Sequence, residues 1–132
     1  MELRFPSSVP HALLRVVALL LLAQGVAAWA ILVGVAGPVA GFDALTFSAR
    51  NLLVTQAIIC PVAMAGTWFA AQWGPVLWFC VIVVLAMALV LGAPLSGVIT
   101  WLVVVHTVAF ALWLATALRP RRTPEAKVDT FN

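Results

Sequence analysis

Residues 61–78 read PVAMAGTWFAAQWGPVLW, and they connect two apolar runs without a charged residue. A three-residue break at Trp73, Gly74 and Pro75 divides the stretch. A break that short between two apolar runs is typical of the turn of a helical hairpin in a membrane. The sequence therefore predicts a hinge at Gly74 and Pro75, and a kink at Pro61 in the helix before it.

The composition indicates a small membrane domain. Of 132 residues, 65% are hydrophobic and 8% are charged, and the mean hydropathy is +1.18. A soluble domain needs a charged coat that this chain cannot supply. The formal net charge of +3 comes from the chain ends, because between Arg15 and Arg119 only Asp43 and Arg50 are charged. A nucleic-acid partner is not expected, since the basic residues are not interleaved with polar ones along a groove.

The apolar runs predict an all-α fold, a polytopic bundle of four transmembrane helices with short loops. Crossing a hydrocarbon core of about 30 Å takes about 20 helical residues. Residues 1–11 form a short cytoplasmic tail in this interpretation, and residues 119–132 form a basic cytoplasmic tail that we expect to be disordered. The domain between them covers residues 12–118, with spans at about 12–35, 52–72, 76–91 and 98–118.

Two parts of this division have a second interpretation. The first run could be a cleaved signal peptide, but Gln24 and Trp29 interrupt the small-residue region and apolar residues continue to Val35. Residues 43–51 could form a separate interfacial helix capped by Asp43, or they could extend the second span outward.

The distribution of Lys and Arg predicts the orientation. Four spans place both termini on one side, and the loops on the other side contain only Arg50. The positive-inside rule then puts both termini in the cytoplasm. In this orientation Trp68, Trp73 and Trp78 belong to the inner aromatic belt, and Trp101 and Trp29 to the outer one.

Seams of small or polar residues at spacings of three and four predict which helix faces pack, because close packing drives helix association in membranes. The third span has no such seam, so we expect it to be peripheral or to bind a partner. The seams are Ala23, Ala27, Ala30 and Gly34 on the first span; Gln56, Cys60, Ala63, Thr67 and Ala70 on the second; and Thr100, Val104, Thr107, Ala111 and Ala115 on the fourth.

The sequence contains few residues for chemistry. His11 and His106 lie too far apart in depth to share a metal or haem within one chain. Cys60 and Cys80 have no CxxC spacing, and we interpret them as small apolar fillers. No catalytic motif occurs and no acidic residue lies inside a span, which disfavours a proton-coupled antiporter. We therefore expect no enzyme activity, catalytic residue, cofactor or metal.

Gln24, Gln56 and His106 form the candidate intramembrane polar site. At about 1.5 Å per residue, Gln24 and His106 lie at the same depth on antiparallel spans, so we predict that they interact. His106 shares its stripe with Phe110 and Trp113, and that stripe should turn inward. The pair could pin the bundle by bonding to each other, to Gln56 or to the carbonyl freed by Pro61. Alternatively it could serve a ligand or proton path, or contact a partner.

The chain resembles a family of bacterial four-span membrane proteins known as a domain of unknown function. The resemblance covers about residues 12–118 and includes His106. It rests on Phe42-Asp43-Ala44-Leu45, on Pro61-Val62-Ala63 with Gly66 and Trp68, and on Trp73-Gly74-Pro75-Val76 with Trp78. The family often has a glutamate near the position of Leu85, which this chain lacks. The resemblance implies a bacterial inner-membrane location and no particular activity.

Two classes of function remain open. The first is a non-enzymatic accessory or scaffold protein that binds another membrane protein through the third span. The second is a small homo-oligomeric transporter or lipid-handling protein, because four short helices cannot easily enclose a pathway alone. The expected partners are the lipid bilayer and either another membrane protein or a second copy of the chain.

Overall fold

The described part of the chain forms four α-helices. The computed structural model describes residues 8–35, 45–92 and 96–118. The helices are α1 (Ser8–Leu32), α2 (Phe47–Trp68), α3 (Gly74–Val90) and α4 (Ser96–Ala117). No strand occurs in these three ranges, so the all-α prediction is confirmed.

The helices pack in chain order around one core, and α4 returns to contact α1. Successive helices are antiparallel: Arg15 near the start of α1 lies over Trp68 at the end of α2, and Trp29 bonds to Ala57 further up. We call the end that contains the α2–α3 turn the turn end, and the opposite end the far end. Contacts between α1 and α4 are the sparsest of the four neighbouring pairs.

Among the described residues, three helices are long and apolar enough to cross a membrane: the His11–Leu32 part of α1, α2, and the Gly97–Ala117 part of α4. Helix α3 is apolar but has only 17 residues. At about 1.5 Å per residue it measures roughly 25 Å, somewhat less than a bilayer core.

The first two helices begin earlier than the sequence predicted. Helix α1 begins by Ser8, within the residues assigned to the N-terminal tail, and the part of it that is long and apolar enough to cross a membrane begins at His11. Helix α2 begins at Phe47, where the Thr46 hydroxyl accepts a hydrogen bond from the backbone N–H of Ala49. The segment from Phe47 onward thus extends α2 and is not a separate surface helix. Asp43, the predicted cap, and the tail 119–132 lie outside the described residues.

The turn includes Trp73 and lies just before the predicted hinge residues Gly74 and Pro75. Helix α2 ends at Trp68 and α3 begins at Gly74, so the turn is residues 69–73. Pro75 lies in the first turn of α3, where a missing N–H costs nothing because no helical partner exists for it. Ala70 takes the left-handed backbone conformation that closes the turn, with φ of 50°.

Gly74 is needed for packing and not for a turn conformation. A Cβ added at Gly74 would lie 2.5 Å from the carbonyl carbon of Gly66. A Cβ added at Gly66 would collide with the Trp73 ring and come within 2.8 Å of the Gly74 Cα. The two glycines therefore let α2 and α3 approach at backbone distance beside the turn.

Only one of the three predicted seams packs inside the chain. On α2, Gln56, Cys60, Ala63 and Thr67 are buried as predicted. The α1 seam is mostly exposed and the α4 seam is exposed throughout. The reason is complementarity: α1 inserts large side chains against the small face of α2, which fills space that two small faces would leave empty. The buried large residues of α1 are Leu14, Val17 and Leu21.

Helix α3 is not peripheral, contrary to prediction. It packs between α2 and α4 and buries Gly74, Trp78, Val81, Leu85 and Ala88. Helix α4 is the more exposed element, because from Gly97 to Ala117 only Ile99, His106 and Trp113 are buried. The inward turn of the stripe that contains His106, Phe110 and Trp113 is confirmed.

Candidate functional site

A row of polar side chains crosses the middle of the bundle and ties the four helices together. The indole Nε1 of Trp78 donates to Nδ1 of His106 at 3.1 Å. Nε2 of His106 lies 2.9 Å from Oε1 of Gln24. Nε2 of Gln24 then donates to Oε1 of Gln56 at 2.7 Å. The predicted contact between Gln24 and His106 is thus confirmed, and Gln56 joins it.

Trp78 fixes the direction of every hydrogen bond in this row. An indole N–H can only donate, so Nδ1 of His106 must accept and the neutral ring carries its proton on Nε2. Nε2 therefore donates to the Gln24 carbonyl oxygen, which turns the Gln24 amide nitrogen toward Gln56. Both ring nitrogens of His106 are engaged, and the ring is fully buried.

The row ends at Gln56 with an unused donor. Oε1 of Gln56 accepts from Gln24 and also from the Cys60 thiol, at 2.8 Å. Nε2 of Gln56 is buried and has no hydrogen-bond partner among the described residues. The interpretation of Cys60 as a mere filler is incomplete, since its thiol helps to hold the orientation of the Gln56 amide.

Aromatic rings pack around His106 on the side toward the turn end. Trp78 and Phe110 meet edge to face with centroids 5.1 Å apart, and Phe110 contacts Trp113 at 5.6 Å. Trp78 is fully buried, so its assignment to the inner aromatic belt was wrong. The sequence signal was available: Gly74, Trp78, Val81 and Leu85 follow helical spacing along one face of α3.

A hydrogen bond from Trp29 satisfies the backbone carbonyl that Pro61 leaves without a donor. A proline at position 61 cannot donate to the carbonyl of Ala57, four residues earlier. Nε1 of Trp29 on α1 donates to that carbonyl at 2.9 Å. The polar row was one predicted partner for this carbonyl, but Trp29 takes the role.

A cavity of about 210 Å³ lies on the far-end side of the polar row. Gln24 and Gln56 are its polar wall residues, and nearly all the rest of the wall is apolar. Its rim includes Ala27 of α1 and Val98 of α4, which are both exposed. The opening therefore lies between α1 and α4, the pair with the sparsest contact.

The described residues offer no ready-made metal site: within 8–35, 45–92 and 96–118, no three His, Cys, Asp or Glu side chains cluster closely enough to hold an ion. What the arrangement provides is a fixed set of neutral hydrogen bonds, in which Nε2 of Gln56 is buried without a partner among the described residues.

Within the described residues, the fold is an all-α four-helix bundle, and three of its helices are long and apolar enough to cross a membrane. The family described as "Family of unknown function (DUF6163)" matches residues 9–123, and this chain belongs to that family. The resemblance to an uncharacterised family is thereby confirmed. No curated protein and no solved structure matches the chain.

Proposed function

We propose that this protein is a non-enzymatic accessory component of a membrane complex, with all four helices crossing a bacterial inner membrane. Large apolar side chains point outward from every helix, among them Leu19, Ile58, Val83 and Val108. Soluble proteins rarely expose so much apolar surface, and lipid is its natural neighbour. The short α3 can be accommodated by local thinning of the bilayer.

The proposed orientation keeps both termini in the cytoplasm. The side chains at the turn end support this orientation. There, Arg15 lies over the ring of Trp68, and the side chains of Trp68 and Trp73 are both about half exposed. This pairing of cation and aromatic side chains suits the headgroup region of the inner leaflet.

Cysteine labelling tests the orientation. In a background lacking Cys60 and Cys80, single cysteines replace Ser7, Ser48, Ser96 or Thr130 in turn. A reagent that cannot cross the membrane should label the Ser48 and Ser96 positions from outside intact spheroplasts. Strong labelling at position 130 would overturn the orientation.

The observation that carries the accessory role is the outer face of α4. A seam of small and hydroxyl residues runs along it at helical spacing, and all five members are exposed. Such seams favour close helix association in membranes, and the exposure of this one leaves it accessible to a neighbouring helix. A helix of another membrane protein is the partner that we propose, and α4 replaces the third span as its contact.

Purification of the tagged full-length chain in mild detergent tests this role. We expect a stoichiometric, unrelated membrane subunit that is lost with Ala111→Leu or Thr107→Leu. Val105→Leu is the control, because Val105 is exposed on the same helix but outside the seam. A homodimer with bound lipid, unaffected by Ala111→Leu, would instead favour a homo-oligomeric transporter or lipid-handling protein.

The non-enzymatic character is supported by the state of the candidate chemical groups. Both nitrogens of His106 are held in hydrogen bonds, and the Cys60 thiol is buried and directed at Gln56. Neither group presents a free acid, base or nucleophile to a substrate.

A further inference from the structure

We propose that the outer face of α1 and α2 at the turn end binds one phospholipid with an anionic headgroup. The guanidinium of Arg15 holds the phosphate, and an acyl chain lies in an apolar groove beside it. The inference rests on the proposed membrane location. It depends neither on the accessory role nor on which leaflet the turn end meets.

The first step of the argument is the charge of Arg15. This side chain is exposed near the start of α1, and the ranges 8–35, 45–92 and 96–118 contain no Asp or Glu. Within the described part of the chain, its positive charge therefore has no carboxylate to balance it. Basic residues at a membrane surface attract anionic lipids, and the planar guanidinium fork matches the oxygens of a phosphate group.

The second step is the position of the guanidinium. Its central carbon lies 5.9 Å from the centroid of the Trp68 ring, so a cation–π contact holds the Arg15 side chain against the end of α2. The ring face uses none of the N–H donors of the guanidinium, which leaves them for phosphate oxygens. Trp68 is itself 45% exposed and adds an indole N–H donor at the same level.

The third step is the groove that continues from this pair between α1 and α2. It is open, has a volume of about 330 Å³, and shares Trp68 with the cation contact. Leu19 and Leu22 form part of its α1 wall, and Met64 and Ala65 part of its α2 wall. Leu19 and Leu22 lie about one and two turns after Arg15. The groove thus runs from the cation toward the middle of the bundle, as a lipid runs from its headgroup into the bilayer.

The fourth step concerns what fits the groove. A dry apolar cavity of about 150 Å³ is known to hold benzene, so about 330 Å³ can hold a longer segment of hydrocarbon chain. An acyl chain is thinner than a helix, whose diameter is at least about 10 Å, and has no polar group that apolar walls would leave unsatisfied. A zwitterionic headgroup fits less well, because its ammonium finds no carboxylate among the described residues.

Lipid titration of the full-length protein in mild detergent tests the site. The probes are phosphatidylglycerol and phosphatidylcholine, both with two oleoyl chains, and native mass spectrometry counts the bound lipid molecules. We expect one phosphatidylglycerol to bind in a saturable way. Phosphatidylcholine should bind about fivefold more weakly, which is the usual effect of one basic residue on an anionic lipid.

Two variants of Arg15 test the headgroup contact. Arg15→Gln should weaken phosphatidylglycerol binding about fivefold, to the level of phosphatidylcholine. Arg15→Lys keeps the charge and should retain most of the preference. Arg121→Gln is the matched control, because it removes one positive charge from the chain but leaves the pair of Arg15 and Trp68 intact. It should bind both lipids as the unaltered protein does.

A substitution in the groove tests the acyl-chain contact separately. Ala65→Leu fills the groove and should weaken the binding of both lipids while the ratio between them stays the same. Ala23→Leu is the control, since Ala23 is exposed on α1 and lies outside the groove wall. Glycerophosphoglycerol, the headgroup without its chains, should not compete with phosphatidylglycerol at equal concentration.

Three results would overturn the lipid site. The first is equal binding of phosphatidylglycerol and phosphatidylcholine by the unaltered protein. The second is an equal effect of Arg15→Gln and Arg121→Gln, which would mean that only the net charge matters. The third is unchanged lipid binding in Ala65→Leu. Cell fractionation separates these failures from failure of the membrane location itself, which would leave the chain in the soluble fraction and not in the carbonate-washed membranes.

Discussion

The two ends of the bundle are held together in opposite ways. At the turn end, Gly66 and Gly74 bring α2 and α3 to backbone contact, and an added Cβ would collide on either helix. Toward the far end, the four helices line a cavity of about 210 Å³, and Trp29 donates a hydrogen bond to the Ala57 carbonyl that Pro61 leaves without a helical donor. The polar row lies between the two regions.

This difference shows where the chain tolerates change. Close packing leaves no room for adjustment, whereas a cavity wall and a side-chain hydrogen bond can adapt to one substitution. We therefore expect the effects of mutation to fall from the turn end toward the far end.

The largest effect is expected at the glycine contact. Gly74→Ala should destabilise the bundle by about 1–3 kcal/mol, and Gly74→Val by more, because the atoms that the new Cβ meets belong to the backbone and cannot rotate away. Thermal unfolding in detergent and the yield of folded protein measure this loss. Gly97→Ala is the matched control, since nothing lies within 4 Å of a Cβ there. Similar stability of the Gly74→Ala and Gly97→Ala variants would contradict the packing role.

The sequence predicted the helices better than it predicted their faces. The apolar runs and the Gly/Pro-containing break were sufficient to predict four helices, because both signals depend on neighbouring residues in the sequence. The prediction that the α1 and α4 seams are buried was wrong, because a small residue packs inside only where a large side chain of the neighbouring helix fills the space in front of it. The turn lies just before Gly74 and Pro75 for a related reason: glycine is needed both in tight turns and at close helix contacts, and only the structure separates the two.

The sequence predicted one contact of the site but not its tryptophans or its cavity. Depth counting brought Gln24 and His106 together, because antiparallel helices of similar length fix relative height. Trp78 and Trp29 were missed, since tryptophan is common at membrane interfaces and their inward hydrogen bonds depend on helix rotation. The cavity could not be predicted, because it arises from side chains of all four helices.

A medium effect is expected from breaking the polar row that joins the two ends. Hydrogen bonds between membrane helices average about 0.6 kcal/mol and reach about 1.7 kcal/mol. Each of Gln24→Leu and His106→Leu should cost about that much. The double variant should cost less than the sum of the two, because both remove the same bond.

Unfolding in detergent at matched lipid content measures the loss of stability in Gln24→Leu, in His106→Leu and in the double variant. Trp78→Phe is a useful addition, because it removes the indole donor and keeps an aromatic ring against Phe110. Strict additivity of the Gln24 and His106 substitutions would show that the observed contact carries no coupling energy.

The smallest effect is expected from replacing Trp29. This substitution tests whether a hydrogen bond or ring packing stabilises the far end. Trp29→Phe removes the donor to the Ala57 carbonyl and should cost about 0.6 kcal/mol. In a Pro61→Ala background, residue 61 regains an N–H that can bond to the same carbonyl, so Trp29→Phe should then cost almost nothing. Pro61→Ala alone should change little, since the new bond offsets the lost contact between the ring and Gly25. Trp101→Phe, at a side chain that is 72% exposed, is the control for general loss of an indole. If Trp29→Phe costs the same in both backgrounds, its value lies in ring packing. The far end would then be held as the turn end is, by contact alone.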